Sequence, residues 1–312
     1  MQKFLTRFFL FLLISFLVYC VLLFFWGHLL PQRYKPNLNY RIGSYGNMYT
    51  RMAEVKNVHQ PDILILGSSH AYRGFDVRIF ERANYETFNM GSSSQTPVQT
   101  RLLLKRYLND INPGFVIFEV SPEALASDGV ESAVDVIAND KNDFRSVLMT
   151  LKINNIKVYN TLLYAFMNEL FNVNKNFEEP IVKPKRNDTY IPGGYVEKKM
   201  KYYTSKTKPE KTFEFKDMQL EAFEKIIADL KRKEIEFILV YTPVTNDLYN
   251  SFTNIESFDS IMHTHGDYYN FNEIMQLTDT LHFYDSEHLN QAGVRKFNYR
   301  LLKLLKANDY IK

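Results

Sequence analysis

From Phe8 to Trp26 the chain runs nineteen residues without a charge, interrupted by one clearly polar side chain, Ser15. As a helix, that length crosses most of a hydrocarbon core of about 30 Å. The run exceeds a usual signal-peptide core, and Trp26-Gly27-His28-Leu29 offers no small-x-small cleavage site, so an uncleaved anchor is expected. Lys3 and Arg7 precede it and Arg33, Lys35 and Arg41 follow it, which leaves the charge rule balanced. A short tail with a long folded region behind the first span is the layout of a signal anchor. The expectation is a single-pass protein of the cell membrane whose bulk lies outside the cytoplasm, on the periplasmic or extracellular face. Residues 1–30 are therefore tail and anchor. Residues 31–60, with Pro31, Pro36, Gly43 and Gly46, read as a membrane-proximal connector with one helical turn around Met48 to Val55.

Beyond the connector the hydrophobic pattern changes period. Asp62-Ile63-Leu64-Ile65-Leu66 is a short apolar run stopped by Gly67, the pattern of a buried parallel strand. Tyr85 to Met90 predicts a weaker strand ending at Gly91, and Thr96-Pro97 then supply the N-cap and first position of a helix through Leu108. Phe115 to Val120 predicts a third strand, closed by Ser121-Pro122. From Asp217 a helix carries Leu220, Phe223, Ile226, Ile227 and Leu230 on one stripe, and Ile235 to Val240 follows as a strand closed by Thr242-Pro243. Asn290 to Lys306 is the last helix, with Val294, Phe297, Leu301 and Leu304 inward.

Strand, loop and helix repeated in this order predict an α/β domain over 61–312. The fold expected is a flavodoxin-like three-layer α/β/α arrangement around a parallel sheet. Its ligands should gather at the carboxyl ends of the strands, where Ser69, Gly91, Ser121 and Thr242 fall. The alternation breaks over about 125–215, which reads as an insertion with one or two helices in Val147 to Asn172.

Composition narrows the chemistry. A single cysteine, Cys20, lies inside the anchor, so neither a disulfide framework nor a Cys-rich metal site is available. Catalysis must rest on oxygen and imidazole groups, with no cofactor and no metal expected. His263-Thr264-His265 has the alternating spacing of a pair on a strand, but no carboxylate or cysteine cluster completes a metal site. The net charge of +3 does not argue for a nucleic-acid partner. That charge is uneven: residues 183–211 hold nine Lys or Arg against three acids, a local +6, leaving the rest of the chain net −3. With Tyr190, Tyr195, Tyr202 and Tyr203 interleaved around Pro192-Gly193-Gly194, the segment suits a mobile insertion over a site for sugars or anions, or a solvated loop. On the first reading Tyr195, Lys198 and Lys199 are candidate substrate-binding residues.

A serine in the tight turn after a buried strand is exposed at the sheet edge, and becomes a nucleophile when a base removes its proton. Near the C-terminus Asp285 stands three residues before His288, directly ahead of the last helix. On one helical turn that spacing lets Asp285 hold the ring and fix the tautomer that leaves the other nitrogen free to accept. His70, beside the serine, reads as a residue that supports the site from behind or packs against it rather than as the base.

In these motifs the chain resembles the SGNH/GDSL hydrolase superfamily. Gly67-Ser68-Ser69 aligns with the family's Gly-Asp-Ser block, Gly91 in Asn89-Met90-Gly91 with its second block, and Asp285 and His288 with its closing Asp-x-x-His. The third block, an asparagine in Gly-x-Asn, is replaced by Glu119-Val120-Ser121-Pro122. The resemblance implies Ser69 as nucleophile, His288 as base and Asp285 as its orienting acid. It also implies an oxyanion hole of the Ser69 and Gly91 N–H groups, with Ser121 or Gln95 in place of the asparagine. Gly-Ser-Ser-His with an N-terminal membrane helix is similar to the envelope branch that holds the teichoic-acid D-alanyl transfer and alginate O-acetylation proteins. That branch implies a serine esterase or O-acyltransferase acting on a cell-envelope polysaccharide. Its partners would be a surface glycan or acyl donor, membrane lipid around the anchor, and a membrane-bound O-acyltransferase. A second class is a catalytically idle fold that binds glycan or scaffolds such an acyltransferase. A phosphate-loop nucleotide binder is the third, and the chain lacks its lysine.

Overall fold

The computed structural model describes residues 1–311. Helix α1, Gln2–Leu29, is one uninterrupted apolar rod with mean hydropathy 2.9 over its most apolar window, long and apolar enough to cross a membrane. The connector ends in α2, Met48–Glu54, whose Met48, Arg51 and Met52 are buried. Its apolar side chains join the core of the domain, so the second half of the connector is part of the folded body.

The strands are β1 (Ile63–Leu66), β2 (Thr87–Asn89), β3 (Phe115–Glu119), β4 (Val182–Lys183), β5 (Asp188–Ile191), β6 (Tyr195–Lys198), β7 (Glu236–Tyr241) and β8 (Tyr268–Asn270). Five of them form a parallel sheet in the order β2-β1-β3-β7-β8. Counted among themselves these strands run 2-1-3-4-5, the flavodoxin-like order, so the predicted architecture is the observed one. The register sets Ile63 beside both Thr87 and Phe115, and Glu119 beside Val240.

Because side chains alternate across a strand, the central runs feed two cores. Leu64, Leu66, Val116, Phe118 and Leu239 face one layer, with Leu103, Phe223 and Ile226. Ile63, Ile65, Ile117, Ile238 and Val240 face the other, with Phe75, Phe80, Phe297 and Leu301. On the first layer lie α5 (Pro97–Ile111) and α10 (Asp217–Arg232); on the second lie α3 (Ser69–Gly74), α4 (Val77–Glu81) and the C-terminal helix Gln291–Ala307. The chain from β3 to α10 holds α6 (Pro122–Ala126), α7 (Val130–Asn139), α8 (Phe144–Ile153), α9 (Ile156–Leu170) and then the antiparallel sheet β4-β5-β6.

That small sheet corrects the expectation of a mobile insertion. Asn89 N–H at the edge of β2 donates to Gly193 O at 2.8 Å, and the buried Arg51 guanidinium donates to Gly194 O at 2.7 Å. Gly194 has φ +100, and a Cβ there would lie 2.1 Å from Asn89 O, so only glycine permits this docking. His263 and His265, expected on a strand, lie at the end of the helix Ile255–His265.

Candidate active site

Gly67 ends β1 at φ +142, with Glu119 so close that a Cβ would sit 2.4 Å from Oε2. The chain turns there and enters α3, whose N-cap is Ser68, its Oγ accepting from His70 N–H at 3.2 Å. Ser69 is therefore the first residue of a helix at the carboxyl edge of the sheet. Its Oγ lies 2.8 Å from His288 Nε2. His288 Nδ1 lies 3.0 and 3.1 Å from the two Asp285 oxygens. A carboxylate only accepts, so Nδ1 carries the proton and Nε2 is free to accept from the Ser69 hydroxyl.

Asp285 and His288 are not on a helical turn as expected. They occupy a bend, where Asp285 Oδ1 accepts from the N–H groups of Glu287 at 2.9 Å and His288 at 2.8 Å. Burial pushes the Asp285 carboxyl up, but the His288 ring and those N–H groups outweigh it and hold the group at about 2. Burial lowers the His288 pKa below the usual imidazole value, aided by the positive charges of His70 and Arg73 and opposed by Asp285. The ring stacks on Tyr284 at 5.5 Å and meets the edge of His70 at 5.2 Å. Asn290 then anchors the whole segment: its amide donates to Leu281 O at 2.9 Å, and its oxygen caps the C-terminal helix through Ala292 and Gly293 N–H.

Behind the serine is a second polar cluster that sequence reasoning missed. Glu119, 3% exposed at the end of β3, accepts from Ser68 N–H at 2.7 Å and from Ser68 Oγ–H at 2.9 Å. Its other oxygen lies 3.5 Å from His70 Nδ1. Burial works against a charged His70, yet Glu119, with help from Glu123 and Glu287, lifts its pKa to about 9. Glu119 thus favours the charged form of the buried His70 ring. A lone glutamate ending an otherwise apolar strand, Phe115-Val116-Ile117-Phe118-Glu119, is the sequence signal for this pair.

The oxyanion groups fare unevenly. Ser69 N–H, at the first position of α3, has no intrahelical acceptor. Gly91 N–H is already donated to Asn89 Oδ1 at 3.0 Å. Gly91 instead serves packing, since a Cβ there would lie 2.7 Å from Ala71 Cβ and 2.9 Å from Ser68 O. Gln95 is engaged at both ends, accepting from Ser92 at 2.7 Å and donating to Thr100 at 2.9 Å. Ser121 Oγ caps α6, accepting from Ala124 N–H at 3.4 Å.

Of the insertion residues, Tyr195 is buried in the second core layer, so its ring does not face solvent. Lys198 donates to Arg186 O at 2.5 Å and pairs with Asp188 at 3.2 Å, and its ammonium lies 5.5 Å from the Tyr284 ring. Lys199 is exposed. Asp188 also holds Arg73 through two bonds of 3.1 Å, so β5 and β6 are clamped to the helix that carries Ser69. Among the described residues His70, Glu287 and His288 place donor atoms within 4.8 Å of one another. Both nitrogens of His288 are already engaged, so a cation there would displace the serine or the aspartate.

No family model and no curated protein matches the chain. Among solved structures it is similar to a GDSL-like lipase from Bacteroides thetaiotaomicron, at 11% identity over 84% of this chain and 98% of that one, with a TM-score of 0.43. It is also similar to a two-domain esterase active on acetylated mannans, at 11% identity over 85% of this chain and 55% of that one, with a TM-score of 0.40. At this distance the functional reading rests on the chain's own geometry.

Proposed function

We propose that the chain is a membrane-anchored serine esterase or O-acyltransferase acting on a cell-envelope polysaccharide through an acyl-Ser69 intermediate. The observation that supports it is the hydrogen-bonded line Ser69–His288–Asp285, with 2.8 Å from serine to imidazole. In the first step His288 Nε2 takes the Ser69 proton while Oγ attacks the ester carbonyl carbon. The oxyanion forms beside the free Ser69 N–H at the start of α3. As the tetrahedral adduct collapses, the leaving alkoxide takes the proton back from His288 and acyl-Ser69 remains. Water or a glycan hydroxyl then gives its proton to Nε2, attacks the acyl carbon and releases Ser69; which of the two enters decides hydrolysis or transfer.

The full-length chain in detergent should be labelled by a fluorophosphonate, and Ser69→Ala should not. Equal labelling of the two, or none of either, rejects the reading. A second reading, an idle fold that binds glycan or scaffolds a membrane-bound O-acyltransferase, is favoured by the engaged Gly91 N–H and the absent asparagine donor. Loss of one side-chain donor from such a hole typically costs about 2.7–4 kcal/mol of transition-state stabilisation. Unchanged polymer acylation in cells carrying Ser69→Ala with His288→Ala selects that reading.

A further inference from the structure

Among the described residues, fifteen large apolar side chains remain exposed beyond α1, and seven of them lie between Phe144 and Val173. On α8, Phe144, Leu148 and Leu151 recur at i, i+4 and i+7 and share a face, exposed by 72, 50 and 55%. On α9 the inward face is Val158, Leu162 and Ala165, while Ile156 and Leu170 stand exposed on the outward stripe. Between Lys141 and Asn160 the chain carries four basic residues, Lys141, Arg145, Lys152 and Lys157, against one acid, Asp143.

The position of α9 gives this apolar surface an occupant. α9 packs against both α8 and the last turns of α1. Tyr19 OH donates to Asn160 Oδ1, Phe24 meets Phe171 at 5.2 Å, and Gly27 lies against the Tyr164 ring. Tyr19 is about 10 Å along the helix from Trp26, at 1.5 Å per residue. With Phe8 to Trp26 in lipid, Phe24 and Tyr19 lie inside the hydrocarbon boundary, Tyr19 by about 10 Å, so whatever touches them sits among the outer acyl-chain carbons, the depth that the apolar face of an interfacial helix reaches. Exposed apolar side chains flanked by lysine and arginine are what that environment selects.

We infer that the α8–α9 pair lies at the headgroup–acyl boundary of the bilayer that α1 crosses, with Phe144, Leu148, Leu151 and Ile156 among the outer acyl-chain carbons. The inference rests on α1 spanning that bilayer. It makes the folded body a surface-bound unit held by two contacts, one spanning and one superficial.

The test uses the full-length chain in phosphatidylcholine–phosphatidylglycerol vesicles whose acyl chains carry doxyl quenchers. An environment-sensitive NBD label is placed on native Cys20. In a Cys20→Ala background it is placed on Leu148→Cys, on Leu151→Cys and on Lys303→Cys, an exposed position in the opposite layer. Blue-shifted emission at 148 and 151, quenched several-fold more than at 303 and in company with Cys20, is the expected result. Water-like emission at 148 and 151 with Cys20 quenched overturns the surface contact and leaves the anchor intact. No quenching at Cys20 overturns the anchor and the inference together. Shielding at 148 and 151 in native membranes but not in lipid vesicles assigns the face to a protein partner and overturns the lipid contact.

Discussion

On the proposed mechanism His288 is the base, and its burial disfavours the imidazolium while Asp285 fixes the tautomer. The rate term kcat/KM for an ester substrate should therefore rise along a limb whose midpoint lies below 6.5, with Asp285 ionised throughout that range. A midpoint above 6.5, read from a pH–rate profile, contradicts this assignment. Asp285→Asn leaves the ring in place but reverses the preferred tautomer, so kcat should fall by about 10⁴. A loss under tenfold would mean that the carboxylate is not orienting the base. His70 behaves oppositely. Its pKa of about 9 in the folded chain exceeds the value near 6.5 of a free histidine. It thus contributes stability that is complete below pH 6.5 and is lost as pH climbs through 9. Thermal melts of the wild type should lose stability across that window, and Glu119→Gln should flatten the dependence; parallel profiles for both would show that Glu119 does not hold the charge.

The elements differ in how plainly they are written in the chain. β1, β3 and β7 lie inside the sheet and are apolar on both faces, so each reads as a continuous hydrophobic run. β2 and β8 are edge strands of three residues each, too short to set a period, and Tyr268–Asn270 escapes prediction altogether. Ser69, Asp285 and His288 are legible from their order along the chain. The Glu119–Ser68–His70 cluster is not, because it joins residues 51 positions apart through the pairing of β1 with β3. The Gly91 N–H meets a local competitor that the pattern does not display, an asparagine side chain two residues back that accepts from it in an Asx turn. The insertion is mixed for a related reason: Lys185, Lys199, Lys201, Lys206 and Lys211 are exposed as a solvated loop would have them, whereas Lys198 with Arg73 encloses the buried Asp188. Removing one partner of such a pair leaves buried charge uncompensated. Asp188→Ala should destabilise the body by about 3–5 kcal/mol in denaturant titration and open the small sheet, residues 182–198, to limited proteolysis. A cost under 1 kcal/mol would return the segment to the status of a surface loop.

At the scale of the whole molecule, α1 is packed onto the body instead of extending from it loosely. Leu23 and Gly27 are the buried positions of α1, and they meet α9 and Leu38 in a small cluster of their own. Gly27 permits that approach, since a Cβ would sit 2.1 Å from the Tyr164 ring. Gly27→Val should wedge α1 from α9 without touching the serine line. Spin labels on the exposed Leu13 of α1 and on Lys231 of α10, each introduced as cysteine in a Cys20→Ala background, should then show a broadened distance distribution in bilayers. Fluorophosphonate labelling of Ser69 should be unchanged, because Ser69, His288 and Asp285 all sit at the carboxyl edge of the sheet, whereas α1 packs on α9. Adding Tyr164→Ala makes room for the new side chain and should narrow the distribution again, the coupling expected of two residues in direct contact. A distribution already broad in the wild type would mean that the helix and the body move independently, and that the packed arrangement does not persist in the membrane.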